Sequence, residues 1–481
     1  MGLIGILVGL GVLMWLAYRG WSILLVSPIA ALIAAVFSRD PLLAHWTQTF
    51  MGGAAQFIAQ WFPMFLLGGL FGKLMGDSGS VSAIAQYLTR RLGTSRTTLA
   101  VVAASAIVTY GGVSVFVAFF VLAPLAHEMF RAGDIPRRLI PATVGLGAFT
   151  FTMSVMPGTP SINNAIPMPF FGTTTFAAPG LSLIASAIII AFGMWWLSRA
   201  EAAARRAGEG YAGTAATVPV LTELVREQAA PAGDFDPAEL PHGKAAESGP
   251  PFALALLPIV VVIATNFLLS LIVFPRLDFS YLAESRWGGT TIGAVSGVWS
   301  VIVALAAANV TVILINIRRL PSVRETLDAG ANSAALPMLM IASLVGFGAV
   351  VAALPAFATV RDAVLSIPGG PLVLLAISMN VLAGLTGTAS GGMAIVLNAF
   401  GNQFMQIGAA HHISPELMHR ITTMSAGTLD ALPHNGTVLL LLQLTGLTHR
   451  ESYLDMVMTV IVSCIIALVA VLVLGSVFGS F

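Results

Sequence analysis

Apolar residues in this chain come in long runs separated by short polar stretches. Most runs have the length that crosses a bilayer, about 20 residues in a helix. Uninterrupted runs fall near 2–18, 20–37, 50–74, 180–198, 251–274, 288–316, 329–355 and 455–478. Between Ser80 and Leu92 the pattern turns amphipathic, with Ile84, Tyr87 and Leu88 set against Arg90 and Arg91, which predicts a helix lying along the membrane surface. Four further runs are broken in the middle by small and polar residues. They are 97–128, broken at Thr109–Ser114; 139–178, broken at Met156–Asn164; 370–408, broken at Thr386–Gly392; and 420–444, broken at Asp430–Thr437.

The order of these runs repeats. Each half holds three spans, an interrupted stretch of hairpin length, a broken span and a plain span. This predicts an all-α polytopic membrane protein made of two repeats, 1–198 and 251–481, joined by a polar cytoplasmic linker at 199–250 rich in Ala, Gly, Pro and acidic residues. The expected inventory is about 10 transmembrane helices, two re-entrant hairpins and two broken helices. Lys and Arg collect on the cytoplasmic side of membrane proteins. If both hairpins leave on the side they enter, most of the 22 basic residues share one side; Arg39, Arg276, Arg286, Arg361 and Arg420 are the exceptions. The second half then enters the membrane from the opposite side to the first, as in an inverted repeat, and both termini face outward.

Composition sharpens this picture. Of 481 residues, 57% are hydrophobic and 9% charged, too apolar for a water-soluble fold of this size. A net charge of +1 and the lack of a basic tract argue against nucleic acid as a partner. The single cysteine, Cys464, excludes an intrachain disulfide and a cysteine metal site. No metal, nucleotide or other cofactor motif is present.

The breaks carry the chemistry. Irregular backbone persists in hydrocarbon only where protein buries it or where it lines a wet cavity. Each break exposes helix ends: N-terminal N–H groups that suit a carboxylate, and C-terminal carbonyls that suit a cation. The predicted substrate-binding groups are Tyr110, Gly112, Ser114, Thr159, Ser161, Asn163 and Asn164 in the first half, and Thr386, Thr388, Ser390, His434, Asn435 and Thr437 in the second. Asp430 and His434 form an ionisable pair inside a predicted span. Four apart on a helix they would share a face, which predicts a proton-coupling role; the bland alternative for Asp430 is a helix cap.

The segments Thr109–Ser114, Phe119–Leu125, Pro157–Asn164, Gly384–Gly392, Ile413–Met418 and Ser425–Gly436, in this order, resemble the gluconate permease (GntP) family of the ion-transporter superfamily. The resemblance spans nearly the whole chain outside the linker. It implies proton-coupled symport of a small organic anion across the bacterial inner membrane. It also implies a homodimer whose protomers divide into a scaffold and an elevator-type transport domain made of the hairpins and broken spans. Gluconate-type members carry an acid where Gly111 stands here, and a His between prolines where Pro157-Gly158-Thr159-Pro160 stands. These departures point away from gluconate itself, and the break with Asn163 and Asn164 is more similar to D-3-hydroxybutyrate-type members, which turns the expectation toward a short hydroxy monocarboxylate. Two alternatives accompany this reading: sodium coupling on the same fold, since hydroxyls and carbonyls suit a hard cation, and an intramembrane serine hydrolase using Ser390 and His434.

Overall fold

The computed structural model describes residues 2–19, 21–93, 96–113, 115–211, 246, 249–359, 370–386, 388–433 and 435–481. Ser114, Gly387, His434 and most of the linker therefore lie outside the described residues, among which there is no strand.

The first three spans are α1 (Gly2–Tyr18), α2 (Ile23–Ser38) and α3 (Leu42–Asp77), the last opening with a π turn at His45–Phe50. The amphipathic α4 (Ser80–Leu92) follows. It buries Ile84 and Ala85 and stacks Tyr87 on Phe252 at 4.0 Å between ring centroids, so its apolar face is covered by protein. Next come α5 (Thr97–Tyr110) and α6 (Val115–Ala132), the two arms of the first hairpin. The first broken span is four pieces: α7 (Ile140–Ala148), α8 (Phe151–Ser154), α9 (Ile162–Ala165) and α10 (Met168–Phe171).

Then α11 runs Pro179–Arg206. It extends past the expected linker boundary at 199, because Glu201–Arg206 is alanine-rich and carries a Glu201–Arg205 pair at 2.8 Å one turn apart.

In the second half, α12 (Phe252–Phe267) and α13 (Ile292–Asn316) precede α14 (Val323–Ala353). The second hairpin is α15 (Pro371–Thr386) and α16 (Ala389–Ala410). The second broken span is α17 (Pro415–Thr428) and α18 (Gly436–Thr445), and α19 (His449–Phe478) closes the chain. Among the described residues six helices are long and apolar enough to cross a membrane. The protein is an all-α polytopic membrane protein.

Packing follows the repeat. The third spans α3 and α14 lie against each other along most of their length, and the last spans α11 and α19 do the same. Each hairpin's first arm packs on the first piece of its own broken span: α5 on α7, α15 on α17. Gly53, Gly69, Gly330 and Gly346 stand where α3 and α14 come together. Small residues let backbones approach closely in a bilayer, where apolar burial alone does not drive helices together. Two groups result: α1–α3 with α12–α14, and the hairpins with the broken and last spans. They meet chiefly where α14 lies along α16 and α13 along α10.

Candidate functional site

Both hairpin tips and both breaks converge on one cavity of about 260 Å³. From the first half Gly112, Ser161 and Asn163 reach its wall; from the second, Thr388, Ser390, Asp430, Asn435 and Thr437 do. The α3 and α14 side is mostly apolar, with Met64, Phe65, Gly68 and Gly72 from α3 and Ala334, Pro337 and Ile341 beside Ser333 from α14. Residues far apart in sequence thus bring polar groups from the tips and breaks against a mostly apolar face.

The first tip is built on the first break. Tyr110 Oη donates to the Pro157 carbonyl at 2.7 Å. Gly112 has φ +89°, and a Cβ there would sit 2.7 Å from Pro160 Cγ; only glycine takes that turn at that distance. Ser161 caps α9 by accepting from Asn164 N–H, and donates to the Met153 carbonyl.

The second tip is built on the second break through Asp430. Its Oδ1 accepts from Ala389 N–H at 2.9 Å and from Asn435 Nδ2 at 3.0 Å. Thr388 caps α16, accepting from Gly391 N–H at 2.9 Å. Asn435 caps α18, accepting from Thr437 N–H at 2.7 Å. Two capped helix N-termini, with the partial positive charge of their first turns, therefore lie at the cavity around one carboxylate.

The arrangement sorts the predicted residues. Tyr110, Thr159 and Asn164 do not reach the cavity wall. Tyr110 is a strut, Thr159 is buried, and Asn164 donates to the Thr159 and Thr175 carbonyls at 3.1 and 3.0 Å. Ser161, Thr388 and Asn435 reach the wall, but their oxygens serve as helix caps. Asn163 and Thr437 are different: among the described residues, no side-chain hydrogen bond occupies either, and both face the cavity. Thr386 ends α15. Ser114 and His434 lie outside the described residues. The expected pairing of Asp430 with His434 therefore lies outside the described residues; α17 ends at Thr428, two residues before Asp430. Pro433, further on, disfavours helical backbone at its predecessor. Asp430 does act as a cap, but of the neighbouring hairpin arm rather than of its own helix.

Two residues that sequence reasoning passed over stand behind the wall. Arg420 and His419, on α17, are fully buried. Arg420 makes five hydrogen bonds, all to uncharged oxygens: Nε to the Ala177 carbonyl, Nη1 to the Ser154 carbonyl and Asn164 Oδ1, and Nη2 to the Thr175 and Ala177 carbonyls, at 2.9 to 3.4 Å. His419 Nε2 donates to Asn164 Oδ1 at 3.3 Å, and its Nδ1 lies 2.6 Å from Thr173 Oγ1. A neutral ring satisfies both contacts. The signal in the sequence was that Arg420, at the start of a broken span, is one of the few basic residues that depart from the common side.

No family model matches the chain. Over 462 residues it is 40% identical to the uncharacterized transporter YxjC of Bacillus subtilis (strain 168), covering 95% of each protein. A stretch of 150 residues, 31% of this chain and 33% of the relative, is 31% identical to an uncharacterized transporter of Haemophilus influenzae. Among solved structures, the fold is similar to that of the Alcanivorax borkumensis YdaH transporter, with a TM-score of 0.53 and 17% identity, covering 91% of this chain and 88% of that one.

Proposed function

The chain belongs to the transporter family of Bacillus subtilis YxjC, and from that premise we propose that it is a secondary symporter carrying a small monocarboxylate with a proton across the bacterial inner membrane. The observation that carries the reading is the cavity itself. It is lined by both hairpin tips and both breaks, and two capped helix N-termini lie at it beside the Asp430 carboxylate. Such N-termini suit an anionic substrate group. A second carboxylate brought beside Asp430 sets two like charges in one small site, which favours holding one proton between them.

The division into two helix groups supports an elevator motion in which hairpins and broken spans move together against α3 and α14. The mostly apolar wall on the α3 and α14 side makes few polar contacts that such a motion would have to break. The gluconate permease resemblance supports sugar acids or short hydroxy acids such as D-3-hydroxybutyrate as cargo, and a homodimer as the assembly. The hydrolase reading has little to rest on: the Ser390 hydroxyl lies 3.4 Å from Thr388 Oγ1 in the first turn of α16, a helix-cap setting rather than a nucleophile's.

The test is uptake into proteoliposomes of radiolabelled D-3-hydroxybutyrate and gluconate under an imposed proton or sodium gradient. Accumulation driven by the proton gradient alone is the expected result. Accumulation that follows only sodium would replace the proton with sodium, and no uptake of either acid would remove the monocarboxylate reading.

Asn163→Ala tests the cavity wall. The Asn163 amide makes no hydrogen bond to another described residue, so its loss leaves the protein's own network intact. Removing one substrate hydrogen bond should weaken binding by about 1 kcal/mol, roughly fivefold. An unchanged affinity would take Asn163 out of the site.

A further inference from the structure

Arg420 is a full positive charge in the middle of the unit that lines the cavity. All five of its N–H donors are used, and every acceptor is a carbonyl or an amide oxygen. None of the ion pairs among the described residues involves it. Its partners Ser154 and Asn164 are each one residue along the chain from Met153 and Asn163 on the cavity wall. The guanidinium is thus held directly behind the first break, while Asp430 faces the cavity from the second.

We propose that Arg420 is the fixed counter-charge of the transported anion and, together with Asp430, enforces one proton per monocarboxylate. The inference rests on the symport reading above and supplies its stoichiometry. The charges count as follows. Empty, ionised Asp430 and Arg420 sum to zero. Loaded, Asp430 holds a proton taken from the outer solution, the substrate carries one negative charge, and with Arg420 the sum is again zero. A proton alone leaves one positive charge; an anion alone leaves one negative. Carrying a net charge through the low-dielectric middle of the membrane is expensive, so only the empty and the fully loaded forms cross. Inside, the proton leaves Asp430 for water and the anion follows.

The other described ionisable groups near these two have partners of their own. His419 is satisfied as a neutral ring. From α19, His449 Nε2 donates to the Pro433 carbonyl and Tyr453 Oη to the Ala431 carbonyl, both at 2.9 Å, so both spend these donors on backbone oxygens rather than on Asp430. Arg138 is paired with Glu209 and Asp455. His434 lies outside the described residues.

Arg420 touches no part of the cavity, so it is a positioning and charge-setting residue, and its test must separate charge from architecture. In proteoliposomes with a fixed pH gradient, wild-type uptake of D-3-hydroxybutyrate should be the same with and without an imposed potassium-diffusion potential, since proton and anion together carry no charge. Arg420→Lys keeps the charge and loses most of the carbonyl contacts; Arg420→Gln loses both. Both should melt lower than wild type. The lysine variant should stay within a few-fold of the wild-type KM, while the glutamine variant should rise by about tenfold or more and lose its preference for the acid over the neutral amide of the same skeleton.

Equal KM values and equal acid preference in the two variants would overturn the proposal. So would wild-type uptake accelerated by an interior-negative potential, a measurement that stands even if Arg420→Gln does not fold. Absence of any carboxylate uptake by the wild type would instead overturn the symport reading, and this inference with it.

Discussion

Asp430→Asn is expected to cut proton-driven net uptake in proteoliposomes by about a hundredfold or more, while exchange of labelled for unlabelled substrate falls by less than about tenfold. The asymmetry follows from the hydrogen bonds. Two of the contacts that hold this carboxylate, from Ala389 N–H and the Asn435 amide, are made to Oδ1. An asparagine amide oxygen in the same place accepts both, so the second hairpin tip stays fastened to its break. What the variant loses is the site for a proton and the negative charge that balances Arg420 when the site is empty. Its empty form carries a net positive charge and returns slowly, whereas its anion-loaded form is neutral and still crosses. Exchange needs only the loaded crossing; net uptake needs both. Asp430→Ala is the contrasting variant. It leaves the Ala389 and Asn435 donors without this acceptor, at roughly 1–3 kcal/mol, and should lower exchange and thermal stability as well. If Asp430→Asn loses exchange as completely as net uptake, the carboxylate is a structural fastener and the coupling proton is held elsewhere.

The largest stability effect is expected at Gly392, on the second arm of hairpin two. A Cβ there would sit 2.4 Å from both Cα and N of Ala383 on the first arm. The obstacle is backbone, not the end of a flexible side chain, so it can yield only if the arms part. Gly392→Val should therefore destabilise by about 3 kcal/mol, at or beyond the upper end of ordinary overpacking. Because Thr388 and Ala389 lie one turn away, parting the arms also draws the tip from Asp430. Uptake should fall with the melting temperature. Gly11→Val is the control, since nothing lies within 4 Å of a Cβ at that position; it should change stability by less than about 0.5 kcal/mol. Melting of purified protein in detergent, followed by uptake after reconstitution, measures both. A Gly392→Val protein with wild-type melting would mean that the two arms are free to separate.

Much of the architecture was legible along the chain because each bilayer crossing must satisfy its own backbone. That requirement makes a membrane helix a local object, a run of apolar residues with visible ends. Hairpin and break positions followed from the same rule, since Gly, Pro, Asn and Ser inside an apolar run mark where the helical ladder stops. The boundary at Arg206 was missed because an alanine-rich segment continues a helix into solvent without any apolar signal.

Which polar residues face the cavity was not legible. Tyr110 and Pro157 are 47 positions apart, and Arg420 and Asn164 are 256 apart; no periodicity links such pairs. Nor does residue type separate the cap Asn435 from Asn163, which lines the cavity with no side-chain hydrogen bond to another described residue. By itself the sequence determined an all-helical membrane protein with interrupted spans in matching places, because burial of peptide groups in lipid is decided segment by segment. Only the tertiary structure decided that two breaks and two tips share one cavity, that Asp430 fastens a neighbouring hairpin, and that Arg420 stands behind the wall. Those facts depend on which helix ends meet, and that is set by packing across the whole chain.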